Sequence, residues 1–479
     1  MKTTKLILSF FVMLLATACS NNSNTSTAPG PITTGPDAIA HTIYGDIQGY
    51  CDDGIYTFKG VKYAKAERFM APEFPDAHEG VLKTQVWGPK AMQGQNDKYS
   101  DRSDYDFGFQ FKNELMSEDC QVLNVWTPAL DGKKRPVFVW IHGGGYSNGS
   151  SIFLPAQDGR SLAAKGDIVV VTVNHRLNVL GYLDLSPLGG VFANSANLGM
   201  QDLVKALEWV NSNISNFGGD PGCVTIGGQS GGGGKTSTLC AMPSAKGLFH
   251  RAIVQSGSTL RQMEKSTSEN ICKAFLGQLG IDANASTEKI AQQLADVPFE
   301  QLELAGNIAG RQGGGRFSPV VDGTILPQHP FDPAPECSRD VPMLIGSNLN
   351  EFCYTNNIEF TIDERVRKGV IDQATVKANQ GGAPAYVYLF SWISEVNDKA
   401  LAACHGMELP FMFSNVAAQR EMTGGTKEAY EMEDKISSAW IQFIKTGDPN
   451  TPKLPKWDAF TPETEATMVL DNQSHMTTL

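Results

Sequence analysis

Short continuous apolar runs alternate along the chain with longer segments in which apolar residues recur at helical spacing. The runs from Pro136 to Ile141 and from Ile168 to Val173 are rich in β-branched and aromatic residues, which is typical of strands buried on both faces. Apolar residues between Met200 and Ile214 fall at helical spacing and predict a helix. Alternating strands and helices predict a central, mostly parallel twisted sheet with helices on both faces. Further strand-like runs lie at 223–228, 251–256, 343–347 and 385–392.

The first forty residues lack this alternation. Lys2 and Lys5 precede an apolar run from Leu6 to Ala16, which is typical of a signal peptide over residues 1–18. Small residues directly before Cys19 are similar to a bacterial lipobox, which predicts lipidation of that thiol and an exported, membrane-anchored lipoprotein. The alternative is an ordinary signal peptide with an incidental cysteine, which predicts a periplasmic or secreted protein. Residues 19–40 are mostly small and polar, so we expect a flexible tether there.

The charge and the cysteine content of the chain limit which nucleic-acid, membrane or metal partners are expected. The chain has 479 residues, 41% of them hydrophobic, and its 51 acidic and 39 basic residues give a formal charge of −12. This charge repels nucleic-acid phosphates and anionic lipid, so we expect no nucleic-acid partner and membrane contact only through the N-terminal anchor. No repeat or second linker interrupts residues 41–479, which predicts one large domain. The nine cysteines show no metal-ligand spacing, so we expect no metal and leave the disulfides open.

Two motifs indicate acyl-transfer chemistry. Residues 228–232 read GQSGG, a GxSxG pattern between a predicted strand and a glycine-rich helix start. Such a sharp turn exposes the serine, here Ser230, as a nucleophile. The strand-like run ending at Ile141 leads into an HGGG sequence at 142–145, a loop type that supplies oxyanion donors. We therefore expect one oxyanion hole without a cofactor, built from three backbone amides, those of Gly144, Gly145 and Gly231.

With these motifs the chain resembles the type-B carboxylesterases, the cholinesterase-like family of the α/β-hydrolase superfamily. The resemblance implies the α/β-hydrolase fold over residues 41–479 and hydrolysis of small-molecule carboxylic esters through an acyl-enzyme. The matching stretches follow the family's order: FKGVKYA (58–64), SEDCQVLNVWTP (117–128), WIHGGGY (140–146), VNHRLNVLGYL (173–183), NFGGDPGCVTIGGQSGG (216–232), FSPVVDG (317–323), IGSNLNEF (345–352) and CHGMELPF (404–411).

The same resemblance implies the rest of a catalytic triad. Glu351 matches the family's acid and His405 its base, in the chain order Ser, Glu, His that the fold requires. The residues alone leave the base open among eight histidines. His405 nevertheless stands in a glycine-flanked loop after a predicted strand, where the fold places its base. The family's ion pairs Arg68–Glu118 and Arg176–Asp202 are expected to be scaffold.

The chain also departs from the family. Gln229 replaces the usual glutamate before the nucleophile, which should weaken attraction for cationic substrates, although Tyr354 matches a gorge aromatic that stacks on cations. Counted back from residue 317, Gly313 and Gly315 occupy positions of the acyl-pocket wall, so we expect room for a long or aromatic acyl group. The alternative for this stretch is a disordered surface loop. The short interval from Glu351 to His405 predicts a reduced cap.

Two other functional classes match parts of the sequence. Residues 234–236, Gly-Lys-Thr, end like a nucleotide-binding P-loop, but that motif needs a glycine at position 229, where glutamine stands. A catalytically weak or non-enzymatic cholinesterase-like binding protein is the second. It is disfavoured because the serine, glutamate and histidine are all kept.

Overall fold

A computed structural model of the chain describes residues 31–94, 104–109, 114–352 and 364–478. Its strands are β1 (Ile39–Thr42), β2 (Gly45–Gln48), β3 (Tyr50–Asp52), β4 (Ile55–Lys62), β5 (Val81–Lys83), β6 (Lys90–Ala91), β7 (Met116–Ser117), β8 (Val122–Thr127), β9 (Arg135–Ile141), β10 (Val169–Val173), β11 (Gly219–Gln229), β12 (Arg251–Gln255), β13 (Met263–Glu264), β14 (Val320–Val321), β15 (Met343–Asn348), β16 (Ala385–Phe390), β17 (Ala466–Leu470) and β18 (His475–Thr478). Its α-helices are α1 (Asp104–Phe109), α2 (Arg160–Gly166), α3 (Asn178–Tyr182), α4 (Leu198–Asn213), α5 (Gly231–Leu239), α6 (Lys265–Gln278), α7 (Thr287–Ala295), α8 (Phe299–Gly313), α9 (Glu364–Ala378), α10 (Leu409–Met412), α11 (Arg420–Thr423) and α12 (Lys427–Thr446).

One large sheet organises the molecule. Its strand order is β18-β17-β16-β15-β12-β11-β9-β10-β8-β4-β3. The strands from β17 to β10 in this order pair in parallel. The strands at the two edges pair antiparallel. The mostly parallel sheet predicted from the apolar runs is therefore confirmed.

Side chains of the central strands alternate between two hydrophobic clusters, one on each face of the sheet. In β9, Val137, Val139 and Ile141 belong to one cluster, whereas Phe138 and Trp140 belong to the other. Successive side chains of a strand point to opposite faces, so a strand covered by helices on both sides must be apolar at every position. This explains why the run at 136–141 is continuous rather than alternating.

The order of the central strands places a crevice beside β9. From β9 the chain crosses to β10 on one side, and it later returns to β11 on the other side. In an open α/β sheet, ligands bind outside the carboxyl ends of the strands at such a reversal. The loop after β9 carries the HGGG sequence, and the turn after β11 carries Ser230. Both motifs therefore lie at the expected edge of the sheet.

The N-terminal boundary of the folded domain differs from the prediction. Thr33 and Cys51 exchange two backbone hydrogen bonds, of 2.9 and 2.8 Å. Ala38 is buried, and β1 begins at Ile39. The predicted tether over 19–40 therefore extends too far toward the C-terminus. The prediction is wrong at this end because a polar composition does not reveal such backbone pairing. The signal peptide and Cys19 lie outside the described residues, and export stays a prediction.

The two ion pairs that were assigned to the scaffold are present, and the Arg176–Asp202 pair is the more deeply buried of the two. Arg176 and Asp202 form an ion pair at 2.7 Å with side chains that are 4% and 0% exposed. Arg68 and Glu118 also form an ion pair.

Within the described ranges, all seven cysteines are free thiols. In the same ranges no helix is long and apolar enough to cross a membrane, and no group of three or more ligand-type side chains is placed to hold a metal ion.

Candidate active site

Ser230 lies on a strained turn between β11 and α5. Its backbone has φ +57° and ψ −125°, a conformation that non-glycine residues rarely adopt. A side chain on Gly228 would clash with the backbone of Gly232, and a side chain on Gly232 would clash with the carbonyl oxygen of Ile141. The small residues around Ser230 are therefore needed for the close approach of β9, β11 and the first turn of α5.

The HGGG loop packs directly against this turn. Gly144 and Gly145 have φ values of +84° and +62°, which favour glycine. A Cβ on Gly231 would clash with the backbone of Gly145, and a Cβ on Gly144 would clash with Asn148. The three glycines assigned to the oxyanion hole thus lie on two segments in backbone contact, although they are separated by more than eighty positions in the sequence.

Glu351 and His405 are joined by a direct contact. His405 Nδ1 lies 2.5 Å from Glu351 Oε2, and the backbone N–H of His405 donates to the carbonyl oxygen of Glu351 at 2.7 Å. The other carboxylate oxygen, Oε1, accepts the backbone N–H of Asn348 at 2.8 Å. Since the Glu351 side chain is 0% exposed, these contacts fix its orientation and that of the imidazole.

Gln229 contacts the other nitrogen of the same imidazole. Its side-chain Nε2 lies 3.1 Å from His405 Nε2, and Gln229 is 5% exposed. A neutral imidazole that donates from Nδ1 to the carboxylate has an acceptor at Nε2, so the amide N–H of Gln229 occupies that acceptor. In the described part of the chain, the Ser230 hydroxyl has no hydrogen-bond partner. Sequence reasoning assigned Gln229 to substrate binding and missed its contact with His405.

A second buried carboxylate lies behind Glu351. Glu408 accepts from Gln255 Nε2 at 3.0 Å and from Asn348 Nδ2 at 2.6 Å. Burial, and then the charge of Glu351, raise the pKa of Glu408. Asn348 thus holds both acids, one through its backbone and the other through its side chain. Sequence reasoning missed Asn348 and Glu408; their only signal was their place inside two stretches that match the family.

A cavity of about 500 Å³ opens beside the HGGG loop. Gly315 lines it, as the pocket hypothesis requires. Gly313 does not: it ends α8, and a Cβ there would meet Ile271 of α6 at 2.5 Å, so its assignment to the pocket wall was wrong. Tyr354 lies outside the described residues. The lining residues are Gly145, Tyr146, Ser147, Met263, Glu264, Thr267, Gly314, Gly315, Arg316, Phe317 and Ser318.

The prediction of a reduced cap is not tested for residues 353–363, which lie outside the described residues. After Phe352 the chain is described again from residue 364, where α9 and then β16 follow. On the side of the cavity, α6 and the segment after α8 supply the walls. The stretch from 311 to 316 is helical through Gly313, so the alternative of a disordered surface loop is wrong for its first half.

Comparison with known proteins identifies the family of the chain. The model of the carboxylesterase family matches residues 36–370 and 358–479. The para-nitrobenzyl esterase of Bacillus subtilis is 34% identical over 485 aligned positions, which cover 91% of this chain and 95% of that protein. The chain belongs to the carboxylesterase family. The phenmedipham hydrolase of Pseudarthrobacter oxydans is 31% identical to this carboxylesterase, with the same coverage of 91% and 95%.

Solved structures support the same fold for this carboxylesterase. An esterase from Clostridium hathewayi, described as able to hydrolyze aliphatic aromatic polyesters, gives a TM-score of 0.84 at 33% identity, covering 94% of this chain and 97% of that one. A para-nitrobenzyl (PNB) esterase structure gives a TM-score of 0.80 at 32% identity, covering 92% and 97%. The predicted family, the α/β-hydrolase fold and the assignment as an esterase are confirmed.

Proposed function

We propose that this carboxylesterase hydrolyses small-molecule esters through an acyl-enzyme on Ser230, with His405 as base and Glu351 as the acid that orients it. The observation that carries the proposal is the 2.5 Å contact between His405 Nδ1 and the buried Glu351 carboxylate. This contact leaves His405 Nε2 to face the segment that carries Ser230. A carboxylate in that position stabilises the imidazolium that forms during acylation.

The steps follow from this arrangement. His405 Nε2 takes the Ser230 proton as the hydroxyl attacks the ester carbonyl, and the amides of Gly144, Gly145 and Gly231 donate to the resulting oxyanion. Collapse expels the alcohol, which receives the proton from His405, and water then repeats the cycle to release the acid. Before the first step, the Gln229 amide has to leave His405 Nε2, because one lone pair cannot accept from both groups.

A burst assay separates this proposal from a non-enzymatic binding protein. We expect an aryl ester such as p-nitrophenyl butyrate to release p-nitrophenol in a burst followed by a steady rate. An organophosphate should abolish both phases by modifying the Ser230 hydroxyl. Absence of turnover on a panel of esters varied separately in acyl and alcohol parts would favour the binding protein.

The substrate class is proposed from the cavity and the relatives. The cavity adjoins Gly145, so a group attached to the reacting carbonyl can extend into it. The printed names of two relatives refer to a para-nitrobenzyl esterase and to aliphatic aromatic polyesters, which supports esters with an aromatic component. We therefore propose aryl or medium-chain acyl esters ahead of acetyl esters.

Gly315→Phe tests the acyl side of the cavity. A Cβ on Gly315 would lie 3.1 Å from Thr267 and 3.3 Å from Ile271, so a phenyl ring there has to occupy cavity space. We expect the wild-type kcat/KM to be higher for butyryl than for acetyl esters of the same alcohol. Gly315→Phe should reverse that order, by about tenfold or more, and Gly315→Ala should shift it less. An unchanged acyl preference in Gly315→Phe would show that the acyl group binds elsewhere.

Gln229→Glu tests the contact with the base. A carboxylate about 3 Å from His405 Nε2 would favour the imidazolium, so the acidic limb of the kcat/KM profile should move to higher pH by about one to two units. A quaternary ammonium ester should also improve relative to a neutral ester, because a negative charge now faces it. Gln229→Met, which carries no charge, is the control and should leave the limb in place. Equal pH profiles of kcat/KM for Gln229→Glu and the wild type would contradict the assigned contact between residue 229 and the catalytic base His405.

A further inference from the structure

Lys235 is a buried lysine in α5, the helix that begins directly after Ser230. Its side chain is 0% exposed, and burial lowers its pKa to about 7. Among the described residues no carboxylate forms an ion pair with it. Lysine is almost never fully buried unless it is paired. The nucleotide-binding hypothesis that would have explained Lys235 fails at Gln229, so the residue needs another role.

The ammonium group contacts the start of the HGGG loop. Lys235 Nζ donates to the carbonyl oxygen of His142 at 3.1 Å. Gly232 lies three positions earlier, on the same face of α5, and packs against the carbonyl groups of Ile141 and His142. One face of α5 therefore holds the peptide from which the oxyanion loop departs, and Lys235 contributes a side-chain hydrogen bond to that contact.

The loop needs such anchors because its glycines supply no stiffness of their own. Its far end is held by Asn178, whose backbone N–H donates to the carbonyl oxygen of Tyr146 at 2.7 Å. Its near end is held by Lys235. An oxyanion hole works only if its amides are already aimed at the position of the developing charge, so the loop has to be fixed at both ends.

We propose that Lys235 is a positioning residue of the oxyanion hole, tying the loop that carries the amides of Gly144 and Gly145 to the helix that follows Ser230. This inference rests on the proposed function. Lys235 does not touch the reacting atoms; it acts through the His142 carbonyl group. The hydrogen bond adds a side-chain link between the two halves of the oxyanion hole, which come from different parts of the chain.

Lys235 can hold the His142 carbonyl group whether or not its side chain is charged. His142 stacks on His175 with ring centroids 4.9 Å apart. Burial, and then the nearby Lys235, lower the pKa of both histidines. Tyr146 lies with its ring centroid 5.8 Å from Lys235 Nζ. A neutral amine still has N–H groups to donate, so the contact with the His142 carbonyl persists on both sides of neutral pH.

Lys235→Met removes the donor and keeps the length of the side chain, and Lys377→Met is the matched control. Lys377 is also 0% exposed, and its Nζ donates to the carbonyl oxygens of Ser338 and Arg339 at 2.8 and 2.7 Å. Burial lowers its pKa to about 8. Both variants therefore lose a buried lysine that holds backbone carbonyls, but only Lys235 holds the oxyanion loop.

We expect Lys235→Met to lower kcat for p-nitrophenyl butyrate by about 10- to 100-fold with KM changed less than about threefold. The inhibition constant of a trifluoromethyl ketone, whose adduct with serine carries the oxyanion, should rise by the same factor. Lys377→Met should leave both quantities within about threefold of the wild type. Lys235→Gln, which keeps N–H donors, should fall between wild type and Lys235→Met, and it serves in its place if the methionine variant fails to fold.

Three results would overturn the inference: an unaltered kcat in Lys235→Met, a loss confined to KM, or equal losses in Lys235→Met and Lys377→Met. Each of these requires an active wild type. A wild type without ester turnover, or with a trifluoromethyl ketone that does not inhibit, would instead contradict the proposed function. The two failures are therefore distinguishable in the same set of assays.

Discussion

Ser230→Ala is expected to lower kcat for an aryl ester by about four to six orders of magnitude while the fold is retained. Without the hydroxyl no acyl-enzyme forms, and only binding and the oxyanion amides remain to assist attack by water. Alanine, like serine, carries a Cβ atom that makes φ +57° unfavourable. The substitution therefore adds no new clash at the strained turn. The measurement is the steady-state rate together with the thermal midpoint of unfolding.

Ser237→Ala is the matched control for this variant. Ser237 lies in the same helix, is fully buried, and donates from its hydroxyl to the carbonyl oxygen of Gly233 at 3.0 Å. Its removal should change kcat by less than about threefold. An organophosphate should add mass to the peptide that contains Ser230 in the wild type and in Ser237→Ala, but not in Ser230→Ala. Esterase activity above background in Ser230→Ala would refute the assignment of Ser230 as the nucleophile.

The parts of the fold that the sequence predicted are those in which local pattern and tertiary packing agree. The run at 136–141 is apolar at every position because both faces of β9 are covered. The helix expected between 200 and 214 is present as α4, from Leu198 to Asn213. The GxSxG motif carries its own structural requirement, since only small residues allow β9, β11 and α5 to approach around Ser230.

The predictions that failed depended on contacts that no local pattern encodes. Counting back from residue 317 puts Gly313 in the pocket wall, but α8 continues through Gly313 and α6 covers it. The polar composition predicts a tether as far as residue 40, yet Thr33 pairs with Cys51 through the backbone. In the sequence Lys235 stands out only as part of a P-loop-like motif, because its partner, a backbone carbonyl group after another strand, leaves no signature there.

Glu351→Gln is expected to be nearly as damaging as loss of the nucleophile, with kcat lowered by about four orders of magnitude. Both oxygens of Glu351 are acceptors: Oε1 accepts from the Asn348 backbone N–H at 2.8 Å, and Oε2 lies 2.5 Å from His405 Nδ1. A glutamine has only one acceptor oxygen. Since the Asn348 N–H is fixed in the backbone, the amide oxygen has to face it, and the NH₂ group has to face His405.

An NH₂ group opposite His405 Nδ1 can only donate, so the imidazole has to carry its proton on Nε2. In that tautomer Nε2 cannot accept the Ser230 proton, and acylation stops although every side chain remains close to its original place. Glu408→Gln is the control: Glu408 is also fully buried and also bonded to Asn348, but the described contacts do not join it to His405, so its loss should cost less than about tenfold. Glu351→Gln should gain rate at high pH faster than the wild type, because hydroxide substitutes for the missing base. Equal losses of activity in Glu351→Gln and Glu408→Gln would contradict the assignment of Glu351 as the acid that orients His405.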